Sequence, residues 1–239
     1  MSTTAGSGAP RSRGRVGRPR AQGRAEDGLS PREGVLAAAA ELFTRQGYAS
    51  TTTRAIAEGA GLRQASMYHY FDGKEDILAA LLEGTVRPSL DLARLLLARG
   101  ENAETRLWAL CRADVELLCG GPHNLGALYL LPETGAPRFA DFRRLRAELR
   151  AAYASLLAAT AAGQALPGSD RELRADLLFG LIEGVILIRR QTAEPTPATL
   201  PEAAADSALR LTGTTERRLA DASADGAALL RELRQPQEP

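Results

Sequence analysis

The amino-acid sequence predicts an all-α protein, and two observations support this prediction. Alanine and leucine, which are strong helix formers, are abundant, whereas aromatic residues, which favour strands, make up only 5% of the chain. Apolar residues recur at three- and four-residue steps along most of the sequence, and glycine and proline separate these periodic segments. We therefore expect amphipathic helices joined by short turns.

Length and composition limit the classes of protein to which the chain can belong. Its 239 residues, 44% of them hydrophobic, are enough for one or two domains with a hydrophobic core. No stretch reaches the roughly 18 apolar residues of a membrane-spanning helix, and the N-terminus lacks an apolar signal segment, so a cytoplasmic location without membrane contact is expected. Cys111 and Cys119 are too few for a disulfide framework, and no metal-ligand spacing or cofactor fingerprint is present.

Residues 1–28 form a segment rich in glycine, serine, proline and arginine. Its first 25 residues carry six arginines and no acidic residue; because the whole chain has a formal net charge of +1, the remainder carries about −5. This composition predicts a disordered arm. Two interpretations stay open: a solubilising leader, or an arm whose arginines enter a DNA minor groove. The arginines are Arg11, Arg13, Arg15, Arg18, Arg20 and Arg24.

Four helices are predicted between residue 30 and about residue 99, each with its own start or stop signal. Residues 30–33 (Ser-Pro-Arg-Glu) form a capping box that begins the first helix, and Gly47 ends it. The threonines at 51–53 offer N-caps for a short second helix, which glycines at 59 and 61 terminate. Residues 72–75 (Asp-Gly-Lys-Glu) repeat the capping-box pattern ahead of the fourth helix.

The first three of these helices, with a tight glycine turn between the second and the third, predict a helix-turn-helix unit. In this geometry the third helix enters the major groove of DNA. If Leu62, Met67 and Phe71 point into the core, six residues of the third segment face outward. Amide and hydroxyl side chains among them suit base edges, and the tyrosines suit phosphates. The outward residues are Gln64, Ala65, Ser66, Tyr68, His69 and Tyr70.

These segments resemble the signature of the tetracycline-repressor (TetR) family. The resemblance covers residues 29–89 and lies in residues 47–48 (GY), 51–57 (TTTRAIA), 60–62 (AGL) and 67–75 (MYHYFDGKE). It implies that residues 52–71 are the DNA-binding helix-turn-helix. It further implies that Thr52, Tyr68 and Lys74 meet phosphates, and that Arg54, Gln64, Ser66 and His69 lie near bases or backbone.

Three positions depart from the family pattern, so the base sequence that would be bound does not follow from the resemblance. Arg63 stands where a helix-capping serine is frequent, Ala65 where glycine is frequent, and Thr53 where an aliphatic residue is usual. The complete set of candidate DNA contacts is Thr52, Thr53, Arg54, Arg63, Gln64, Ala65, Ser66, Tyr68, His69, Tyr70 and Lys74.

Lys74 is predicted to contact a phosphate for a physical reason as well. A cation at the start of the fourth helix is unfavourable beside the positive end of the helix dipole, unless an anion is brought to it. The alternative is a solvated surface lysine. Residues 30–84 contain five basic and seven acidic side chains, so affinity for DNA would have to come from local placement of charge, dimerisation and the arm.

Residues 90–234 predict a second helical domain, for ligand binding and dimerisation, followed by a tail at 235–239. Its most apolar helix, at 171–190, is expected to be buried nearly all round. Gly180 and Gly184 on this helix indicate a close helix approach, either within the chain or across a two-fold axis. Resemblance to the family favours the dimer. The candidate interface is Leu177, Gly180, Leu181, Gly184 and Ile188.

The resemblance also implies an effector cavity in the second domain. Core packing or surface exposure is the alternative for each candidate lining residue. Glu183 stands out because a buried carboxylate needs a partner, which would be Arg189, Arg112 or a cationic group of a ligand. The candidate lining residues are Trp108, Cys111, Arg112, Phe142, Arg146, Phe179 and Glu183.

The sequence therefore predicts a dimeric transcriptional regulator that binds a palindromic operator in double-stranded DNA, as a repressor released by an unknown small-molecule effector. The alternative is a ligand-independent architectural DNA-binding protein that uses the arginine arm. An enzyme is not expected, because neither His69 nor His123 has a nucleophile or metal ligand at a suitable spacing.

Overall fold

The computed structural model describes residues 28–191 and 198–235, and this part of the chain contains α-helices and no strand. The arm before Gly28, part of the predicted linker at 194–201 and the last four residues lie outside the described residues. The helices are α1 (Pro31–Gln46), α2 (Thr53–Gly59), α3 (Gln64–Met67), α4 (Lys74–Leu97), α5 (Ala103–Cys119), α6 (Ala140–Ala159), α7 (Ala161–Ala165), α8 (Gly168–Gln191), α9 (Leu200–Thr212) and α10 (Glu216–Arg234).

The first helix begins and ends where the sequence predicts. The backbone N–H of Ser30 donates to Glu33 Oε2 at 2.8 Å, and the N–H of Glu33 donates back to Ser30 Oγ at 3.3 Å, which completes the capping box. Gly47 follows the last turn with φ of 89°, a conformation that favours glycine. Val35, Ala39 and Phe43 form the buried face of α1.

The third helix ends at Met67, so it is shorter than expected. Residues 68–70 continue as a tight turn, in which the N–H groups of His69 and Tyr70 bond to the carbonyls three residues earlier. Met67 and Phe71 are buried as predicted, whereas Leu62 is half-buried. Because the turn takes over from the helix, Tyr68, His69 and Tyr70 stay exposed.

The capping box predicted for residues 72–75 does not form, because the N-cap residue, Gly73, has no side chain that could accept from the helix N–H groups. Gly73 is the N-cap of α4, and the carboxylate that accepts from the N–H of Asp72, at 3.0 Å, belongs to Asp76. From this start α4 runs for 24 residues, through an internal Pro88, from the first domain into the second. The same rigid element therefore belongs to both domains.

In the second domain, α5 packs against α4, α6, α8, α9 and α10. Between α5 and α6 the chain forms three 3-10 turns, Leu125–Leu130, Pro132–Gly135 and Pro137–Phe139, where the sequence predicts a break around its prolines. The first of these turns contacts α1, α4 and α8. None of the helices in residues 28–191 and 198–235 combines the length and apolar character needed to span a membrane.

The prediction that the helix at 171–190 is buried nearly all round is wrong. Helix α8 buries one face, which includes Leu178, Ile182 and Val185, against its neighbours. On the opposite face Leu173 and Leu177 have exposed fractions of 60% and 51%. The helix lies at the edge of the domain, packed against α5, α6 and α9, so its apolar residues divide between the core and the surface.

Candidate nucleic-acid interface

The start of α2 and the exposed side of α3 form one continuous polar surface. Thr52 is the N-cap of α2, since its hydroxyl oxygen accepts from the N–H of Ala55 at 3.1 Å. Thr51 is buried and donates its hydroxyl hydrogen to the carbonyl of Gly47 at 2.8 Å. The hydroxyl hydrogen of Thr52 stays available, so the N-terminus of α2 is suited to an anionic oxygen.

Three polar side chains meet where α2 approaches α3. The Nε2 atom of Gln64 lies 3.0 Å from Thr53 Oγ1 and 3.4 Å from the hydroxyl of Tyr68, and these two hydroxyls lie 3.4 Å apart. The hydrogen bonds from Thr53 and then from Gln64 lower the pKa of Tyr68. The structure thus brings together three of the predicted contact residues in one cluster, which we call the Thr53–Gln64–Tyr68 cluster.

The remaining predicted contacts surround this cluster. Arg63 is exposed at the N-cap position of α3, and Ser66 is half-buried. Arg54 is exposed and forms an ion pair with Glu58 at 2.8 Å within α2. An exposed ion pair of this kind contributes little to stability and leaves the guanidinium free to turn toward another anion. Also exposed are Ala65, His69 and Tyr70.

Lys74 has a more specific environment than either prediction for it assumed. Its Nζ atom donates to the carbonyls of Tyr48 at 2.8 Å, Thr51 at 2.9 Å and Ala49 at 3.4 Å. The alternative of a solvated surface lysine is therefore wrong. The carbonyl dipoles supply the negative partner that a cation at a helix start requires. The unfavourable helix dipole is thus no longer an argument for a phosphate contact, which stays untested. Because the three carbonyls can accept all three N–H donors of the ammonium, we expect Lys74 to act by holding this turn.

Of the predicted effector-site residues, the structure brings together Phe142, Arg146, Phe179 and Glu183. Arg146 forms a bidentate ion pair with Glu183, and its guanidinium carbon lies 5.2 Å from the ring centroid of Phe179. Of these four, Phe142, Arg146 and Glu183 border a cavity of about 470 Å³, together with Tyr129, Gly180 and Gly184.

The partners proposed for Glu183 are wrong, because other groups occupy both arginines. Arg189 donates to the carbonyls of Leu118 at 2.7 Å and Gly121 at 3.2 Å. Arg112 pairs with Glu116 at 3.2 Å within α5. Only the tertiary packing of α6 against α8 shows that Arg146 is the partner of Glu183.

Trp108 and Cys111 belong to the core and not to a ligand cavity. The indole Nε1 of Trp108 donates to Asp206 Oδ1 at 2.8 Å, and a side chain at Gly226 of α10 would lie 2.5 Å from the ring. Helices α9 and α10 therefore close over this side of α5. Cys111 is fully buried, and burial raises the pKa of its thiol.

A larger cavity, of about 550 Å³, lies between α4, α5 and the first 3-10 turn. Its walls are mostly small and apolar, and they include five polar or charged side chains with hydrogen-bonding capacity, Thr85, Ser89, Glu116, His123 and Arg234. Sequence analysis did not identify it. The sequence feature that could have indicated this cavity is the presence of Gly84 and Pro88 within α4. Small or helix-breaking residues inside a helix leave space beside that helix.

Asp114 is a buried carboxyl group that borders this region through Ser89. Ser89 Oγ donates to Asp114 Oδ1 at 2.7 Å, and the hydroxyl of Tyr153 donates to Asp114 Oδ2 at 2.9 Å. Burial raises the pKa of Asp114 to about 6, against the opposing effect of these two hydrogen bonds. An acidic residue among the apolar positions of α5 was a signal for this group in the sequence.

The predicted dimer residues lie on or beside the exposed face of α8. Leu177 and Ile188 have exposed fractions of 51% and 47%. Among the described residues, a β-carbon added at Gly180 or Gly184 would meet nothing within 4 Å. The alternative that these glycines allow a close approach within the chain is therefore wrong. The apolar face formed by Leu177, Gly180, Leu181, Gly184 and Ile188 we call the α8 face.

The two domains are also joined by an ion pair between Arg138 and Asp76. Arg138 lies in the third 3-10 turn, and Asp76 is in the first turn of α4, three residues after the N-cap. The ion pair thus joins the last part of the α5–α6 connection to the start of α4, whereas earlier residues of that connection, among them Leu125 and Tyr129, line the cavities. The fold and this surface define a helix-turn-helix DNA-binding protein with a helical second domain.

Comparisons with known proteins agree with this class. Residues 35–81 match the family described as bacterial regulatory proteins, tetR family. AmtR from Mycobacterium smegmatis, for which there is a crystal structure, is 48% identical to this chain in sequence. Its structure superposes with a TM-score of 0.78, and the alignment covers 88% of this chain and 98% of that chain. The ketosteroid transcriptional regulator KstR2 of Mycobacterium tuberculosis is 25% identical, with a TM-score of 0.63 over 78% of this chain and 96% of that chain.

The HTH-type transcriptional repressor KstR2 of Rhodococcus jostii (strain RHA1) is 34% identical over 95 residues. This match covers 40% of the chain and 46% of the relative, so the chain spans about half the length of this curated relative. The chain belongs to the tetR family of bacterial regulatory proteins, which confirms the predicted family and the predicted all-α fold. The KstR2 relatives are transcriptional regulators and not enzymes.

Proposed function

We propose that the protein is a dimeric repressor that binds a palindromic DNA operator and leaves it when a small molecule occupies the second domain. The observation that carries the proposal is the Thr53–Gln64–Tyr68 cluster, exposed beside the N-terminus of α2. Amide and hydroxyl groups on one convex surface suit base edges and phosphates at once. Repression is the activity named for the curated relatives.

Dimerisation is supported by the α8 face. Leu177 and Ile188 are exposed, Leu181 is half-buried, and the two glycines leave room for a second helix to approach closely. Burying exposed apolar area is the main driving force of association. A two-fold axis at this face would present two α3 surfaces to the two half-sites of a palindrome, about one helical turn of DNA apart.

Release by an effector is supported by the position of the 550 Å³ cavity. Thr85 and Ser89 of α4 line the cavity, and the same helix begins at Lys74, which holds the turn before α2. A ligand that binds differently to two positions of α4 would therefore bias the position of the helix-turn-helix. The Arg138–Asp76 ion pair supplies a second connection, from the segment between α5 and α6 whose residues Leu125 and Gly126 line the cavity. A regulator of this kind would act in the bacterial cytoplasm, where the chromosome lies.

The test is selection of DNA by the full-length protein from a random pool, followed by binding measurements with the selected DNA and with random DNA. We expect a palindromic sequence to be enriched and bound at least about 10³-fold more tightly than random DNA. Sedimentation should give a dimer at micromolar concentration. Equal affinity for all sequences would favour the architectural alternative, in which the six-arginine arm supplies the binding.

A further inference from the structure

We infer that Thr53 determines base preference through Gln64: its hydroxyl holds the Gln64 amide so that Oε1 faces the DNA and selects a base that carries an exocyclic amino group. Thr53 acts as a positioning residue, and Gln64 as the residue that touches the base. The inference rests on the proposed function, since it applies to the operator that the protein would bind.

The first step is the hydrogen bonding of the Gln64 amide. A primary amide has two N–H donors, and Nε2 of Gln64 faces two hydroxyl oxygens, Thr53 Oγ1 at 3.0 Å and Tyr68 Oη at 3.4 Å. Both donors thus have acceptors on the protein. Within the part of the chain that the structure describes, no group donates to Gln64 Oε1. The free hydrogen-bonding capacity of Gln64 is therefore that of an acceptor.

The second step is the pattern of the major groove. Adenine and cytosine present amino donors there, at N6 and N4, whereas guanine and thymine present acceptors at O6, N7 and O4. An acceptor-only Gln64 therefore matches adenine or cytosine and opposes guanine or thymine. Bidentate pairing with adenine would require one N–H of the Gln64 amide to donate to adenine N7. That N–H would then lose its hydrogen bond to the hydroxyl of Thr53 or Tyr68. The cluster favours a single bond to the amino group.

The third step is the role of Thr53 itself. It is the first residue of α2, half-buried and fixed by the helix, and it makes the shorter of the two contacts to Gln64. A free glutamine side chain loses considerable rotamer entropy when it is ordered at an interface. The Thr53 hydroxyl orders the amide before DNA arrives. An aliphatic side chain at this position would offer Gln64 no acceptor, and the amide would be free to turn.

The experiment compares full-length wild type with Thr53→Val, Thr53→Ser and Gln64→Ala on the selected operator and its three single-base variants at each position. Wild type should prefer adenine or cytosine over guanine and thymine by about tenfold at one symmetric pair of positions. Gln64→Ala should abolish this preference. Thr53→Val has nearly the same shape as threonine but lacks the hydroxyl, and it should abolish most of the preference; Thr53→Ser should retain it.

A modified base separates the two geometries of Gln64. Where adenine is preferred, replacing it with 7-deazaadenine removes N7 and keeps the amino group. We expect wild-type affinity to stay within about twofold, because N7 is not contacted. A loss of about tenfold would overturn the proposed orientation. Preference for cytosine would support it directly, and preference for guanine or thymine would overturn it.

The outcomes distinguish a failure of this inference from a failure of the proposed function. If Thr53→Val melts at the wild-type temperature and keeps the full base preference, the role of Thr53 is wrong while the proposed function stands. If Gln64→Ala leaves the preference unchanged, Gln64 does not read that position and the inference fails. If no sequence is enriched by wild type, the proposed function itself fails.

Discussion

The ammonium group of Lys74 lies 2.8 Å from the carbonyl oxygen of Tyr48 and 4.3 Å from the centroid of the same residue's ring. A further bond to the carbonyl of Thr51, at 2.9 Å, joins the start of α4 to the turn that precedes α2. The carbonyl of Tyr48 also accepts from the N–H of Thr51 at 3.2 Å, and the cation adds a charged donor to it and to the carbonyl of Thr51, which stabilises this segment. The orientation of the N-terminus of α2, where the DNA-contacting surface begins, therefore depends on a side chain from α4.

Replacing Lys74 with methionine should lower the free energy of unfolding by about 2 kcal/mol, because the carbonyls lose a charged donor. Operator affinity should fall for all sequences alike, with the slope of log affinity against log salt unchanged. Urea unfolding and a salt series of binding measurements check both parts. Arg45→Met, an exposed cation of α1, serves as the control and should change stability by less than about 0.5 kcal/mol. Unchanged stability with a slope smaller by about one unit per half-site would instead indicate a direct phosphate contact.

Replacing Gly184 with leucine should separate folding from association. A side chain at this position meets no other described residue within 4 Å, so the folded protomer should gain up to about 1 kcal/mol from helix propensity. The dimer should lose about 1–3 kcal/mol through overpacking of the α8 face. Sedimentation across a concentration series measures the association. Gly34→Ala in α1, also without a neighbour within 4 Å among the described residues, should stabilise the fold and leave association unchanged.

If Gly184→Leu leaves the dimer intact, α8 does not form the interface. A destabilised protomer would instead mean that Gly184 is already packed in the protein.

The buried carboxyl of Asp114 should make stability depend on pH. Burial raises its pKa in the folded protein from 3.8 to about 6, so the unfolded chain loses this proton at lower pH than the folded protein. The favourable contribution of the protonated carboxyl is complete below about pH 4, falls between about pH 4 and 6, and is absent above pH 6. The group therefore costs up to about 3 kcal/mol at neutral pH.

Asp114→Asn should consequently raise the free energy of unfolding at pH 7.5 by up to about 3 kcal/mol and have little effect near pH 4. An asparagine can keep both hydrogen-bond partners, because the hydroxyl of Tyr153 can accept as well as donate. Urea unfolding at several pH values provides the measurement. Asp225→Asn, at an exposed position of α10, is the matched comparison variant. A stability difference that does not vary between pH 4 and 7.5 would show that Asp114 does not titrate in this range.

Removal of residues 1–25 should lower the salt dependence of DNA binding. The deleted segment carries six arginines and no acid, so the slope of log affinity against log salt should fall by up to about five units per subunit if every arginine meets a phosphate. Binding of full-length and truncated protein to the selected operator at four salt concentrations checks this. An equal slope for the two proteins would identify the segment as a solubilising leader.

Local signals in the sequence predicted most of the helical structure. Ser30, Pro31 and Glu33 define the start of α1 within a few neighbouring residues, and Gly47 defines its end, because capping depends on atoms close in the chain. Apolar periodicity likewise predicted α4 and α8 within a few residues of their observed bounds. The helix-turn-helix was identifiable for the same reason, since its core positions and turn glycines lie within about forty residues.

The tertiary structure alone decided which side chains meet across helices. The partner of Glu183 is Arg146, 37 residues away, and the acceptors of Lys74 lie 23 to 26 residues before it. Periodicity shows which positions of a helix are apolar, but the neighbouring helices determine which of those positions are buried. Leu177 is exposed because no neighbour of α8 covers it among the described residues. The sequence by itself determined the helices, the helix-turn-helix and the family; packing between distant segments decided the cavities, the Thr53–Gln64–Tyr68 cluster and the exposed α8 face, because these depend on how whole helices are arranged against one another.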